Sequence, residues 1–449
     1  MSYVDEVLAK VKAKDANEPE FLQTVEEVLE TIRPLIDEKE DQYRKVALLE
    51  RLCEPEKVTQ FRVPWTDDNG QAHIQRAWRV QFNSAIGPYK GGLRFQPSVN
   101  LGMLKFLAFE QTFKNSLTGL PIGGGKGGSD FDPQGKSDAE IMRYCQSFMI
   151  GLYKLIGANM DCPAGDMGVG GTEIGYMFGQ YKRLVGQYEA GALSGKPISC
   201  GGSLGRTEGT GFGAVYYAQE MLRDLGKEVK GTTFCLSGFG NVCWGATKKI
   251  DELGGKVISI SGPDGYIVDP DGITGDKIDY LLEMRASRRN KVKDYADKYG
   301  VQFFEGQKSW GRVGADVYMP CALQNEVRIE DAERMIAENS TNIYIEVSNM
   351  PTTNEAMKAL KDAGWKIAPS KAVNAGGVAV SALEMSQNAE KLSWSVEEVD
   401  EKLHGIMKNI YANSVAAAKK YGMEGDLVAG ANLAGAAKVI QAMVDQGVC

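Results

Sequence analysis

Apolar and polar positions along the first 160 residues follow two different periods. Residues 20–29 place apolar side chains at helical intervals, and we predict that residues 1–60 are mainly helical. Residues 58–65 and 74–82 alternate as strands do, and the Asp67-Asp68-Asn69-Gly70 segment between them predicts a hairpin turn. Helical spacing returns over 100–120, a glycine loop is predicted for 121–130, and a further helix for 137–156.

After residue 205 the pattern becomes a regular alternation of strands and helices. The preceding segment, 190–205, contains the breaker-rich runs Ser194-Gly-Lys-Pro197 and Cys200-Gly-Gly-Ser-Leu-Gly205, which are typical of a hinge or linker. We predict helices at 209–225 and 241–253, strands at 232–237 and 256–261, and further apolar strand segments at 315–319, 343–347 and 366–368. Strands separated by helices in this way predict a parallel, doubly wound sheet covered on both faces. The length of 449 residues fits two or three domains of α/β class.

Composition narrows the classes of function. The net charge of −8 argues against nucleic-acid binding, which needs a basic face. The eight cysteines are scattered without metal-ligand spacing, so we expect no metal site and a reduced, cytoplasmic protein. We expect no membrane-spanning segment, because no apolar run approaches the roughly 18 residues that one takes, and the first residues lack a signal-peptide core.

The candidates for acid–base chemistry are lysines, because the chain has only two histidines, His73 and His404, both in polar surroundings. Lys90, Lys114 and Lys126 lie close together in the sequence, two of them beside paired glycines. Brought together, they would form a pocket for a small dianion and leave one lysine over for catalysis. Crowding and burial lower the pKa of such a lysine and allow it to act as a base near neutral pH. The alternative is that all three are ordinary surface lysines.

A strand, a glycine turn and a helix start follow one another at 233–246. Gly238 permits the turn and Gly240 lets the backbone approach a pyrophosphate at the helix N-terminus, while Cys243 takes the third motif position. This arrangement predicts a dinucleotide site.

The loop after the second strand bears on which dinucleotide binds. Asp264 is the candidate for the adenosine ribose, and the Ser261–Asp264 loop carries no cation for a 2′-phosphate. NAD is therefore favoured. Arg285, Arg288 and Arg289 follow, and they would favour NADP if they folded over the ribose.

Several long motifs resemble those of one family. The runs that carry the resemblance are Gly87-Pro-Tyr-Lys-Gly-Gly-Leu-Arg-Phe95, Pro121-Ile-Gly-Gly-Gly-Lys-Gly-Gly-Ser-Asp130, Pro163-Ala-Gly-Asp-Met-Gly-Val-Gly170, Asn349-Met-Pro-Thr-Thr-Asn354 and Pro369-Ser-Lys-Ala-Val-Asn-Ala-Gly-Gly377. They are similar to hexameric glutamate dehydrogenases of the Glu/Leu/Phe/Val dehydrogenase superfamily. The Gly-Phe-Gly turn resembles that of the small bacterial, NAD-using branch.

This resemblance implies a two-domain protein with a cleft between the domains. Residues 1–201, with a C-terminal helix at 425–449, would bind substrate and make the oligomer, and residues 202–424 would form a Rossmann-type domain. The implied reaction is reversible oxidative deamination of L-glutamate to 2-oxoglutarate and ammonia, with NAD or possibly NADP as acceptor. The implied assembly is a cytoplasmic homohexamer that binds neither nucleic acid nor membrane.

The resemblance also implies residue roles. Lys126 resembles the catalytic lysine and Asp166 the carboxylate that moves protons. Lys90 and Ser381 resemble the pair for the γ-carboxylate, and Lys114 with Gln111 resembles the α-carboxylate clamp. The other implied substrate positions are Gly91, Ala164, Gly165, Asn374, Gly377 and Val378. The implied cofactor positions are Arg206, Thr210, Gly238, Phe239, Gly240, Asn241, Val242, Ser261, Gly262, Asp264, Ala322, Gln324, Asn349 and Asn374, with Thr210 and Asn241 at the nicotinamide.

Two alternatives remain open at this stage. The first is a dehydrogenase for another L-amino acid, although an apolar side-chain pocket would leave Lys90 buried without a partner, which is costly. The second is a non-catalytic cofactor-binding protein on the same fold, although that protein would not need Lys126 and Asp166. The chain departs from the family pattern at Gly209, at Leu323 and at Val347-Ser348.

Overall fold

The computed structural model describes residues 2–287 and 289–448. By their contacts these fall into two compact units. The first unit contains Met1–Leu204, Val378–Val399 and Asn432–Cys449, and the second contains Gly205–Gly377 and Asp400–Ala431. The predicted domain bounds differ from these units chiefly at 378–399, and the domain assignment itself stays a prediction.

The N-terminal part consists of helices followed by the strands of a sheet and three further helices. Its elements are α1 (Tyr3–Lys14), α2 (Pro19–Asp37), α3 (Glu40–Lys45), α4 (Leu48–Leu52), β1 (Lys57–Thr66), β2 (Ala72–Asn83), β3 (Tyr89–Phe95), α5 (Leu101–Leu117), β4 (Gly124–Ser129), α6 (Asp138–Leu152), β5 (Asp161–Gly165) and α7 (Gly171–Val185). The predicted N-terminal helices, the β1–β2 hairpin and the helices near 100–120 and 137–156 are confirmed.

The first unit is built on a five-stranded mixed sheet in the order β1-β2-β4-β3-β5. Strand β2 pairs antiparallel with both β1 and β4, whereas β3 pairs parallel with both β4 and β5. Phe95, Tyr144 and Phe148 are fully or almost fully buried in the hydrophobic core against one side of this sheet. The strands that matter for chemistry, β3, β4 and β5, are therefore adjacent and parallel.

The glycine loop predicted at 121–130 is wrong, because Gly124–Ser129 is a buried central strand. Its glycines are required by close packing. A Cβ on Gly124 would overlap Thr112 of α5, and a Cβ on Gly128 would overlap Arg94 O of β3. The segment lacks the apolar alternation of a strand because its neighbours leave no room for side chains.

The second unit alternates strands and helices. Its elements are α8 (Gly209–Asp224), β6 (Thr233–Leu236), α9 (Asn241–Glu252), β7 (Lys256–Gly262), β8 (Gly265–Val268), α10 (Asp276–Ala286), α11 (Lys293–Tyr299), β9 (Gln302–Glu305), β10 (Val317–Met319), α12 (Ile329–Glu338), β11 (Ile343–Ile345), α13 (Asn354–Asp362), β12 (Lys366–Ala368) and α14 (Ser370–Val373). The chain then forms α15 (Gly376–Glu390), α16 (Val396–Lys420) and α17 (Leu427–Asp445).

The seven strands of the second sheet are ordered β12-β11-β10-β6-β7-β8-β9. The first five are parallel, and β8 and β9 join antiparallel at one edge. The strand order reverses between β6 and β10, and ligands of doubly wound sheets bind beyond the carboxyl ends of the strands at such a reversal. The predicted doubly wound α/β fold is confirmed, and β6 is the strand that precedes the Gly238 turn.

Helix α17 corrects one expectation. Among the described residues it alone is long and apolar enough to cross a membrane, with a mean hydropathy of 1.4. However, 61% of that apolar window is buried inside the protein. Ser116 Oγ of α5 donates to Gly435 O at 2.8 Å, so the small residues of α17 allow close packing on α5. This burial is typical of a core helix of a globular protein.

Candidate active site

Lys126 is the one long side chain on the glycine strand β4. Its residue is 6% exposed, and Nζ lies 2.5 Å from Asp166 Oδ2. Asp166 follows directly after β5, and Arg94 Nε approaches the same carboxylate oxygen at 3.3 Å. The side chains of Lys126 and Arg94 thus both contact the carboxylate of Asp166, and all three side chains are largely buried.

The ionisation of this group is set by burial and by neighbouring charge. Burial lowers the pKa of Lys126, Arg94 and Arg79 lower it further, and Asp166 opposes them without cancelling the decrease. Burial raises the pKa of Asp166, but Lys126 and Arg94 outweigh it and bring the pKa below its ordinary value. The site therefore holds an ionised carboxylate beside a lysine that loses its proton more readily than a surface lysine.

Lys90 lies on β3 and is fully buried. Its Nζ donates to Cys162 O at 2.8 Å and to Ser194 Oγ at 2.5 Å. Ser381 lies on α15, and its buried Oγ makes no hydrogen bond to any residue that the structure describes. Ser381 thus keeps a hydroxyl available for a ligand.

The glycines beside Lys90 allow the strands to pack tightly. A Cβ on Gly91 would overlap Gly125 O, and a Cβ on Gly92 would lie 2.7 Å from the Asp166 Cβ. Parallel pairing aligns Gly92 with Ala164. Backbone of β3 therefore fills the space next to the Lys126–Asp166 pair.

Lys114 and Gln111 lie one turn apart on α5, which packs directly on β4. Gln111 Nε2 donates to Asn115 Oδ1 at 2.6 Å, and Asn115 Nδ2 donates to Lys90 O at 3.1 Å. Lys114 is half-buried on this helix. The structure thus places Lys90 and Lys126 on neighbouring strands and Lys114 on the helix that covers them, and none of the three is an ordinary exposed lysine.

The dinucleotide motif faces a cavity of about 680 Å³ in the second unit. Gly238 has a φ of +76°, a conformation that favours glycine, and Gly240 is the N-cap of α9, with open space where a Cβ would be. Asn241 Oδ1 is buried and lacks a hydrogen-bond partner among the described residues. Eight predicted cofactor positions line the cavity: Gly238, Phe239, Gly240, Asn241, Val242, Ser261, Gly262 and Ala322.

This cavity fits a dinucleotide on structural grounds. The first turn of α9 presents backbone N–H groups where no side chain caps the helix, and this is a ready site for a pyrophosphate. Leu323, one of the departures from the family pattern, also lines the cavity and is largely exposed, whereas Gln324 is exposed outside that lining.

Asp264 uses both carboxylate oxygens within its own unit. Oδ1 accepts the Val292 N–H at 2.8 Å and Oδ2 accepts the Lys293 N–H at 3.1 Å. Of the three arginines, Arg285 lines the cavity, Arg289 pairs with Asp294 at 2.8 Å, and Arg288 lies outside the described residues. The ribose contact of Asp264 stays a prediction, and Arg285 is the arginine of this group that lines the cavity.

A second group of predicted residues gathers beside the start of α15. A Cβ on Gly377 would overlap Thr210 Oγ1 and lie 3.8 Å from an Arg206 guanidinium nitrogen. Asn374 Nδ2 donates to Val347 O and to Asn349 Oδ1, both at 2.9 Å, while its buried Oδ1 has no partner among the described residues. Asn374 is thus held rigidly with one acceptor left for a ligand. Val378, next along the helix, is half-buried.

Two residues of the site were missed from the sequence. Arg94 follows Lys90 and Gly92 at intervals of two, so strand periodicity would have placed it on their face of β3. Ser194 lies in the breaker-rich segment 190–205, where no pattern marks it. Both were found through their contacts, with Asp166 and Lys90 respectively.

Comparison with known proteins shows which family the chain belongs to. Residues 201–447 match the family described as Glutamate/Leucine/Phenylalanine/Valine dehydrogenase, and residues 55–183 match Glu/Leu/Phe/Val dehydrogenase, dimerisation domain. The chain is 59% identical to NAD-specific glutamate dehydrogenase of Clostridium symbiosum over 448 residues, with 99% of each chain covered. It is 52% identical to NAD(P)-specific glutamate dehydrogenase of Xylanibacter ruminicola, again with 99% of each covered. A solved structure of glutamate dehydrogenase superposes with a TM-score of 0.98 at 59% identity, covering 100% of this chain and 99% of that chain. The chain therefore belongs to the Glu/Leu/Phe/Val dehydrogenase family, as its motifs predicted.

Proposed function

We propose that this protein is an NAD-dependent glutamate dehydrogenase, which converts L-glutamate, NAD⁺ and water reversibly into 2-oxoglutarate, ammonium, NADH and a proton. The observation that carries the substrate assignment is the fully buried Lys90, whose Nζ lies 2.5 Å from Ser194 Oγ, on the strand next to the one that carries Lys126. A buried ammonium group suits a substrate whose side chain ends in a carboxylate, and it disfavours an apolar side chain.

Two cationic positions bind the two carboxylates. Lys90 and Ser381 hold the γ-carboxylate through a charge-assisted hydrogen bond and the hydroxyl that has no partner among the described residues. Lys114 and Gln111 hold the α-carboxylate from α5. The neighbouring backbone of Gly91, Ala164 and Gly165 shapes the pocket. Binding at both ends fixes the reacting carbon.

The nicotinamide, when bound, accepts the hydride that leaves Cα. Before that step Asp166, ionised at neutral pH, accepts a proton from the substrate ammonium group. Loss of hydride leaves an iminium, and neutral Lys126 takes a proton from the water that adds to Cα. Lys126 then stabilises the oxygen of the carbinolamine, and Asp166 returns its proton to the amine. As the C–N bond breaks and the C=O bond forms, the carbinolamine hydroxyl gives up its proton to the departing ammonia, which leaves as ammonium.

NAD is the favoured cofactor. The residues that would hold it are those of the α9 N-terminus, with Ser261 and Gly262 after β7 and Ala322 after β10. Thr210 and Asn241 contact the nicotinamide, and Arg206, Gln324, Asn349 and Asp264 complete the set. NADP is the alternative cofactor, because Arg285 lines the same cavity and because one relative, at 52% identity, is named for both cofactors.

The decisive experiment is steady-state kinetics with glutamate, norvaline and leucine, each with NAD and NADP. We expect glutamate with NAD to give the highest kcat/KM. A preference for norvaline would contradict the γ-carboxylate role of Lys90, and the absence of any nicotinamide reduction would contradict enzymatic activity altogether.

The protein assembles as a homohexamer in the cytoplasm. Two features support self-association. The matched family domain is described as a dimerisation domain, and β1 is a ten-residue strand at the sheet edge, whose backbone groups offer pairing to another chain. Sedimentation equilibrium giving a monomer or dimer would contradict the hexamer.

A further inference from the structure

Lys196 and Glu384 form an ion pair in the first unit with both side chains fully buried. Lys196 Nζ lies 2.6 Å from Glu384 Oε1 and also donates to Leu193 O at 2.6 Å and to Asn388 Oδ1 at 2.9 Å. Removing two charges from water is costly, and replacement of a buried pair by apolar side chains is often neutral or stabilising. Stabilisation of the fold therefore does not by itself account for this buried pair.

Glu384 also holds the backbone of the segment that it faces. Its Oε2 accepts the Gly195 N–H at 2.8 Å and its Oε1 lies 3.4 Å from the Lys196 N–H. Ser194 comes directly before, its own N–H donating to Pro163 O at 2.9 Å. Ser194 is thus held from both sides, with its hydroxyl accepting from Lys90.

The same carboxylate is fixed relative to Ser381. Ser381 and Glu384 lie three residues apart on α15, so they share one face of the helix. Glu384 therefore joins the helix face that carries Ser381 to the segment that carries Ser194. Lys196, through Asn388 one turn further along, adds a second attachment to that helix.

We propose that Lys196 and Glu384 are positioning residues for substrate specificity: they hold Ser194 and Ser381 in place around Lys90, so that the pocket accepts a carboxylate end. This rests on the proposed function. Neither residue touches the substrate, and both act through the two serines. A merely structural pair would affect folding but not the choice between an acidic and an apolar substrate.

The test is the double variant Lys196→Met/Glu384→Leu, which removes both charges together and leaves neither one buried alone. We expect KM for glutamate to rise about tenfold while kcat falls less than about threefold, because the lost contacts contribute to binding of the carboxylate end. For norvaline, which has no γ-carboxylate, kcat/KM should stay within about twofold. The glutamate-to-norvaline ratio of kcat/KM thus falls about tenfold.

A milder variant and a control complete the design. Asn388→Ala keeps both charges and removes one attachment of Lys196, and it should lower the same ratio about threefold. If the double variant does not fold, Asn388→Ala serves as the test of the positioning role. Lys105→Met breaks another buried pair of this unit, with Asp15 at 2.7 Å, and should lower the melting temperature without changing the ratio.

The outcomes separate the two proposals. An unchanged ratio in the folded double variant, or in Asn388→Ala where the double variant fails to fold, overturns the positioning role. A parent enzyme that prefers norvaline overturns the proposed function itself.

Discussion

Lys126 Nζ lies 2.5 Å from Asp166 Oδ2, and yet the pKa of Lys126 falls below its ordinary value of 10.5. A neighbouring carboxylate alone would raise the pKa of a lysine. Burial and the cations Arg94 and Arg79 reverse that effect. Asp166 keeps its charge under the same conditions because Lys126 and Arg94 stabilise the carboxylate more than burial disfavours it. One shared environment thus gives Lys126 a lowered pKa and keeps the carboxylate of Asp166 ionised.

Replacement of Lys126 by alanine should reduce kcat by about 10²–10⁴-fold, the range in which a positioned acid–base group contributes. KM for glutamate should change much less, because the proposed mechanism assigns the two carboxylates to Lys90 and Lys114. The matched control is Lys136→Ala, at an exposed lysine of the same unit. Near-normal turnover by Lys126→Ala would contradict its role.

The pH dependence of kcat/KM should report the pKa of Lys126. In the proposed mechanism neutral Lys126 is the base, so activity should rise with pH through its pKa, at a pH lower than an ordinary lysine would give. Asp166→Asn removes the charge that raises this pKa. The rising limb of its residual activity should therefore shift to lower pH. A shift to higher pH would contradict the assignment.

Much of the second unit could be predicted from the sequence, because its apolar segments alternate regularly between strand and helix and because the Gly238–Gly240 turn is a local motif. Strand β4 could not be predicted from the sequence, because long-range packing decides its conformation and its glycines give no periodic pattern of apolar residues. The proximity of Lys90 and Lys126 was likewise hidden, since it depends on the parallel pairing of β3 with β4. Ser194 and the Lys196–Glu384 pair follow only from contacts distant in sequence.

The substitution Gly92→Ala should impair catalysis through sterics alone. The new Cβ would lie 2.7 Å from the Asp166 Cβ, closer than such atoms approach. Displacement of Asp166 from Lys126 should lower kcat about tenfold or more, since small misplacements of catalytic groups are costly. Gly179→Ala is the matched control: its Cβ would meet nothing within 4 Å inside α7. That control should instead stabilise the protein by about 0.5–1 kcal/mol, measured by denaturant unfolding. Equal kcat in the two variants would contradict the steric argument.

Arg285→Ala should distinguish the two cofactors. Arg285 lines the dinucleotide cavity, and the Asp264 carboxylate is engaged by the backbone at Val292 and Lys293. A guanidinium group binds a 2′-phosphate through charge-assisted hydrogen bonds, so its loss should weaken NADPH binding about tenfold. NADH lacks this phosphate, and its Kd should stay within about twofold. Fluorescence titration of the reduced cofactors measures both constants without turnover. Arg289→Ala is the control, since its guanidinium pairs with Asp294. Equal weakening of NADH and NADPH by Arg285→Ala would place the arginine at a part that the two cofactors share, and NAD preference would then have to arise elsewhere in the cavity.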